Sequence, residues 1–142
     1  MQNKLVEELI KIVGKANVLT TPEDLAVYGY DGTFQEARPE VVVLPESTAQ
    51  LSEVVKLAAA TRTPVVPRGM GSGLAAGSIP LPPGGMVLSM TRMNRILEID
   101  EENATVHAEA GVVTADLQAA VEKRGLFYPP DPSSIRHSTI GG

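Results

Sequence analysis

Cysteine is absent from the 142 residues, which excludes disulfides, zinc thiolate sites, iron–sulfur ligation and a cysteine nucleophile. Long apolar runs are absent too. No stretch approaches the ~18 residues that a membrane span needs, and Lys4, Glu7, Glu8 and Lys11 interrupt what would be the apolar part of a secretory leader. Basic charge is in deficit: 17 acids against 12 Lys and Arg give a net charge of −5, so nothing global draws the chain to nucleic acid or anionic lipid. Repeats and low-complexity tracts are missing. What is there is ordinary for a folded chain, with 43% hydrophobic and 20% charged residues. Glycine and proline are the exception, at 13 and 11 residues, about a sixth of the chain against a usual ~12%. They concentrate in a few loops, where function is carried.

Along the chain, Leu5, Val6, Leu9, Ile10 and Val13 share one helical face over residues 3–13, and Gly14 stops the helix. Thr21-Pro22-Glu23-Asp24 reads as a short helix start, with Thr as cap and Pro at the first helical position. The run Val41–Leu44, ended by Pro45, reads as a buried strand. Ser47 and Gln50 form a capping box for a helix whose buried stripe is Leu51, Val54, Val55 and Ala58. Val65-Val66 begins a second strand. Strand, helix, strand in this space is a βαβ unit with parallel strands. Met86–Met90 is a third strand. Ile96–Asp100 and Thr105–Ala110 read as an antiparallel hairpin, and Thr114 caps a helix through Leu117, Ala120 and Val121 that closes at Gly125. The chain ends at Ile140-Gly141-Gly142, a turn-like pair that leads into something, so the expectation is the front part of a longer protein.

Two loops stand out. The first is Pro67-Arg68-Gly69-Met70-Gly71-Ser72-Gly73-Leu74, continuing through Ala75-Ala76-Gly77-Ser78. Glycines after a strand let backbone N–H groups converge on a phosphate. Gly71-x-Gly73-x-x-Ala76 matches the relaxed dinucleotide fingerprint. That motif must open a helix, however, and Pro80, Pro82, Pro83, Gly84 and Gly85 follow too soon. A Rossmann NAD site is thus disfavoured, and a Walker loop is excluded for want of Gly-Lys-Ser/Thr. Phosphate binding and a mobile surface loop remain as the two readings. The second loop is Tyr128-Pro129-Pro130-Asp131-Pro132-Ser133-Ser134, then Ser138-Thr139-Ile140-Gly141-Gly142. It is either a proline-stiffened turn or a rigid, donor-rich surface for a planar ligand.

With Arg38-Pro39, Thr91–Ile96 and Glu109–Val112 beside them, the two loops in this order give a sequence that resembles the PCMH-type FAD-binding domain of the vanillyl-alcohol oxidase and p-cresol methylhydroxylase family. Within that family it is most similar to the flavin subunit of bacterial glycolate oxidase and FAD-linked D-lactate dehydrogenases. The resemblance implies an α+β fold: a three-strand βαβ subdomain, then the start of a second subdomain at the Ile96 hairpin. It places a helical lead-in at 1–34 and the FAD-binding domain, cut at its C-terminal end, at 35–142. The implied cofactor residues are Pro67, Arg68, Gly69, Met70, Gly71, Ser72, Gly73 and Leu74 toward the pyrophosphate. Pro130, Asp131, Ser134, Ser138, Thr139, Gly141 and Gly142 would lie toward the flavin ring and ribityl chain. No catalytic residue and no metal ligand falls in this chain. Members that tether FAD use a His in the glycine loop or a Cys later, and residues 65–78 have neither, which implies non-covalent FAD. The implied parent is a 2-hydroxy-acid oxidoreductase acting on glycolate or D-lactate. The alternatives are another alcohol such as 2-hydroxyglutarate or an aldonolactone, or a non-catalytic flavin or nucleotide module. Electron-acceptor subunits are the expected partners, nucleic acid is not, and the expected location is cytoplasmic, with membrane association only through partners.

Several single residues carry expectations of their own. Arg68 has two: neutralising pyrophosphate, or pairing with a carboxylate near the strand end. Ala76 stands where relatives often have Gly, and a positive φ there would strain it by roughly 1 kcal/mol. His107 should face solvent and His137 support the flavin loop. Asp131 should hydrogen-bond backbone amides, Met70, Met86, Met90 and Met93 should pack, and Asp31 reads as a turn residue only.

Overall fold

The computed structural model describes residues 2–142. Its elements run α1 (Gln2–Val13), β1 (Val18–Leu19), α2 (Pro22–Val27), β2 (Val41–Val43), α3 (Thr48–Thr61), β3 (Val65–Arg68), β4 (Met86–Ser89), β5 (Ile96–Asp100), β6 (Thr105–Ala108) and α4 (Thr114–Glu122). The local signals act as the physics requires. Gly14 ends α1 at φ +85°. Thr21 caps α2 by accepting from the Asp24 amide, and Ser47 caps α3 by accepting from the Gln50 amide. The Gln50 side chain reaches back one residue further than a capping box requires, taking the Glu46 amide at 2.8 Å.

Four strands form one sheet in the order β1-β2-β4-β3. β2 and β3 are each parallel to β4, and β1 lies antiparallel on β2. The first subdomain therefore has four strands rather than three. The extra one, β1, is two residues long and too short to show a period. The parallel strands of the βαβ unit are not neighbours, because β4 inserts between them.

Period-two alternation along β2 sends Val41 and Val43 to one face and Val42 and Leu44 to the other. The first face packs with Leu9, Val13, Val54, Ala58, Met86 and Leu88 under α1 and α3. The second packs with Leu25 and Val87 beneath α2. Met86, Met90 and Met93 are buried as expected. Val55 and Met70 are not; at 46% and 47% exposure they face outward. Val55 lies at the rim of the α3 stripe, and Met70 sits on the open glycine loop.

The second subdomain begins with β5 and β6, paired antiparallel, with α4 laid on them around Val112, Leu117 and Val121. At its root Glu109 takes the Arg95 side chain with both oxygens, the shortest of three bonds being 2.6 Å. His107 is exposed, as the alternation requires. Thr114 departs from expectation. Val113 is the cap of α4, without a side-chain bond, and the Thr114 hydroxyl turns to the Ser138 carbonyl at 3.1 Å and hydroxyl at 2.9 Å.

Candidate functional site

The glycine loop leaves the C-terminal end of β3, and no helix opens within it, as the prolines demand. It runs irregularly to β4 across the mouth of the sheet. The second loop returns from α4 to meet it. A single antiparallel bridge, Val113 to Thr139, holds that return, with the Ile140 amide donating to the Val112 carbonyl at 2.9 Å, and the Gly141 amide adds a bond to the Ala110 carbonyl at 2.8 Å. Gln118 of α4 fastens the proline run, donating to the Tyr128 and Pro130 carbonyls at 3.1 and 2.9 Å.

The two loops touch backbone to backbone. A Cβ on Gly69 would strike the Thr139 hydroxyl and lie 2.8 Å from the Gly142 Cα. A Cβ on Gly142 would meet the same hydroxyl and the Gly69 Cα. Only glycine permits this approach. Between the loops is a cleft of about 500 Å³. Of the residues singled out from sequence, it gathers Pro67, Gly69, Met70, Gly71, Ser72 and Gly73 from the first loop. From the second it gathers Ser134, Ser138, Thr139, Gly141 and Gly142. Leu74, Pro130 and Asp131 do not line it, and neither does Arg68. Leu74 is 79% exposed. Asp131 is exposed and accepts no hydrogen bond among the described residues; the turn it was expected to tie is closed by the Ile135 amide on the Pro132 carbonyl at 2.9 Å.

The cleft carries a mark of incompleteness. The Thr139 hydroxyl oxygen is buried and has no hydrogen-bond partner, although the residue is only 7% exposed. A buried unpaired hydroxyl costs about 1–3 kcal/mol. The oxygen is wedged between Gly69 and Gly142, so an acceptor-rich ligand would satisfy it only by parting the two glycines. Gly71 takes φ +74° and Ala76 φ +56°, so the positive φ foreseen for Ala76 is present.

Behind the loop is an arrangement that sequence reading missed. Arg68 is buried, and its Nη1 donates to the Tyr30 carbonyl at 2.8 Å, the Ser78 carbonyl at 3.3 Å and the Ser78 hydroxyl at 3.4 Å. The guanidinium also lies 5.6 Å from the centroid of the Tyr28 ring. Asp31 is equally buried. It accepts from the Thr33 amide at 2.9 Å, the Thr33 hydroxyl at 2.7 Å and the Ser78 hydroxyl at 3.4 Å. Burial alone would push the Asp31 carboxyl up, but those hydrogen bonds and the Arg68 charge hold it below the ordinary range. Burial pulls the Arg68 guanidinium below its ordinary value, opposed by the charge of Asp31. Asp31 is thus more than a turn residue. Partners 38 and 47 positions apart in sequence leave no local pattern to find.

No helix among the described residues is long and apolar enough to cross a membrane. Residues 39–142 match the model of a family described as an FAD binding domain. The chain is 46% identical over 137 residues to glycolate oxidase subunit GlcD of Bacillus subtilis (strain 168), covering 96% of this chain and 29% of that protein. It is 42% identical over 122 residues to a D-lactate dehydrogenase of Anaerostipes hadrus, covering 86% and 24%. It is 40% identical over 139 residues to a D-2-hydroxyglutarate dehydrogenase of Stutzerimonas stutzeri (strain A1501), covering 97% and 30%. Among solved structures, 4-ethylphenol oxidase from Gulosibacter chungangensis in its isoeugenol complex superposes with a TM-score of 0.83 at 26% identity, over 99% of this chain and 28% of that one. The chain thus spans under a third of the length of these relatives. The loop pair, its glycine contact and the α+β frame agree with the match: the chain belongs to the PCMH-type FAD-binding domain family of flavin oxidoreductases, and its cofactor is FAD.

Proposed function

We propose that residues 35–142, with the 1–34 lead-in packed against them, are the pyrophosphate-binding part of an enzyme that oxidises a 2-hydroxy acid to the 2-oxo acid. The observation that carries the reading is the cleft where Gly69 and Gly142 meet over the unpartnered Thr139 hydroxyl. Such a place suits anionic oxygens: free amides supply donors, missing Cβ atoms supply access, and one buried hydroxyl awaits an acceptor.

The amides of Gly69 through Gly73 would hold the pyrophosphate, with the hydroxyls of Ser72 and Thr139 beside them. Ser134, Ser138, Gly141 and Gly142 would face the flavin and its ribityl chain, on a backbone stiffened by Pro130 and Pro132. Met70 would shield the cleft from water. Arg68 would support the glycine loop from outside the cleft, and Leu74 and Asp131 take no part in it. When bound, FAD supplies a two-electron acceptor for the hydride on the substrate α-carbon. The hydroxyl proton must go to a base, and that base and the group binding the substrate carboxylate belong to the part of the enzyme beyond Gly142. In this reading the binding is non-covalent, in keeping with a glycine loop that carries no tethering His.

The substrate class follows the relatives, two of which are named for glycolate and D-lactate. The third favours 2-hydroxyglutarate as the second reading. We place the enzyme in the cytoplasm with an electron-acceptor subunit as partner, in keeping with a relative named as a subunit.

Acid precipitation of the intact protein should release yellow flavin into the supernatant, and the unprecipitated protein should reduce a dye with glycolate or D-lactate. Flavin retained in the pellet would overturn non-covalent binding. Turnover of 2-hydroxyglutarate alone would select the second reading.

A further inference from the structure

Arg68 and Ser78 stand at the two ends of the glycine loop, and the Arg68 guanidinium joins them. The same nitrogen grips the Tyr30 carbonyl. From that neighbouring segment the Gly32 amide donates to the Gly73 carbonyl at 2.9 Å, so the loop is also held at its middle. Asp31 completes the brace through the Ser78 hydroxyl and is itself oriented by two bonds from Thr33. Gly71 lies against the guanidinium so closely that a Cβ there would collide with it. Arg68 therefore faces the back of the loop, while Gly71 and Ser72 face the cleft.

We propose that Asp31 and Arg68 are positioning residues that brace the glycine loop in its phosphate-receiving shape, Arg68 acting through the backbone it bridges and not as a ligand of the phosphates. The proposal rests on the reading of the cleft as the FAD site. A planar guanidinium suits the task because one nitrogen can serve two carbonyls while the flat face supports Gly71. A lysine keeps the charge but has neither the fork nor the flat face.

The test uses Arg68→Lys, Arg68→Met and Asp31→Asn in the intact protein. FAD affinity is read by titrating the flavin-free form, and hydrogen exchange is followed in the peptide covering residues 69–78 of that same form. Both Arg68 variants should lose FAD affinity about tenfold or more, with lysine giving no rescue, and the loop peptide should exchange faster in step. Asp31→Asn should lose about threefold. Lysine restoring near-normal affinity while methionine does not would show direct charge binding and overturn the proposal. Faster exchange with unchanged affinity would overturn it as well. Should the Arg68 variants fail to fold, Thr33→Val decides: it touches Asp31 away from the cleft, and FAD affinity of the folded, flavin-free form should fall about threefold. Unchanged affinity in Thr33→Val would overturn the brace. An unsubstituted protein that binds no FAD would sink the cofactor reading itself, and this proposal with it.

Discussion

At the scale of single residues, Thr139 and Gly71 give opposite tests of one cleft. Thr139→Val keeps the shape and removes a buried hydroxyl that has no partner. The flavin-free protein should gain roughly 1 kcal/mol, read as a higher urea midpoint, while FAD affinity falls. A variant less stable than the parent would show that the hydroxyl already has a partner. Gly71→Val places a branched side chain at φ +74° against Arg68. It should cost about 2–3 kcal/mol from strain and overpacking together and weaken FAD on the order of tenfold. Equal flavin occupancy at sub-saturating FAD would show that the loop holds no phosphate. The glycines of this site were legible in sequence, because close approach selects glycine and clusters it. What lies behind them was not, since nothing adjacent to Arg68 or Asp31 in the chain reveals that they share Ser78.

Among the elements, local chemistry was the readable part. Thr21 and Ser47 start their helices because a β-region residue with a side-chain oxygen can take a free amide two or three positions on. Thr114 carries the same chemistry and does something else. Its hydroxyl is buried and committed to Ser138, so a tertiary partner displaced the cap. Thr114→Ala should therefore cost about 1–2 kcal/mol, well above an ordinary surface change. It should speed exchange at the Ile140 and Gly141 amides, which hang from the same return; a cost below about 0.5 kcal/mol with unchanged exchange would contradict this. Strand order was also hidden. Nothing in Val65–Arg68 or Met86–Ser89 states that the later strand takes the central place, because that choice is made by packing on both faces.

Over the whole molecule, the carboxylates set the response to acid. Asp31, Asp100 and Glu109 titrate below their ordinary values, the last two through hydrogen bonds from Asn103 and Arg95. A depressed folded-state pKa contributes stability above the unfolded value near 4 that is lost as pH falls through the folded one. The urea midpoint should hold from neutrality to about pH 5 and drop below it, and Asp31→Asn should flatten the drop. An equally steep drop in that variant would assign the effect elsewhere. The two subdomains should also differ. Among the described residues the first has eleven buried residues in its main cluster and the second three on a two-stranded sheet, and two strands alone are marginal. In residues 1–142 expressed alone, β5 and β6 amides should exchange well before those of β2 and β4. That fragment should bind FAD weakly and oxidise no 2-hydroxy acid. Dye reduction by it with glycolate or D-lactate would refute the division of labour.

The central place of β4 also has a meaning in time. β2 and β3 have no ladder with each other, so although β2 can already pair with β1, the strands on either side of α3 stay unjoined to one another until Met86–Ser89 arrives between them. A ribosome adding 5–20 residues per second needs roughly 1–4 s to pass from Arg68 to Ser89. During that interval the nascent chain holds two valine-rich strands, each with the edge that β4 will cover still open, and the glycine loop is the last stretch made before they close.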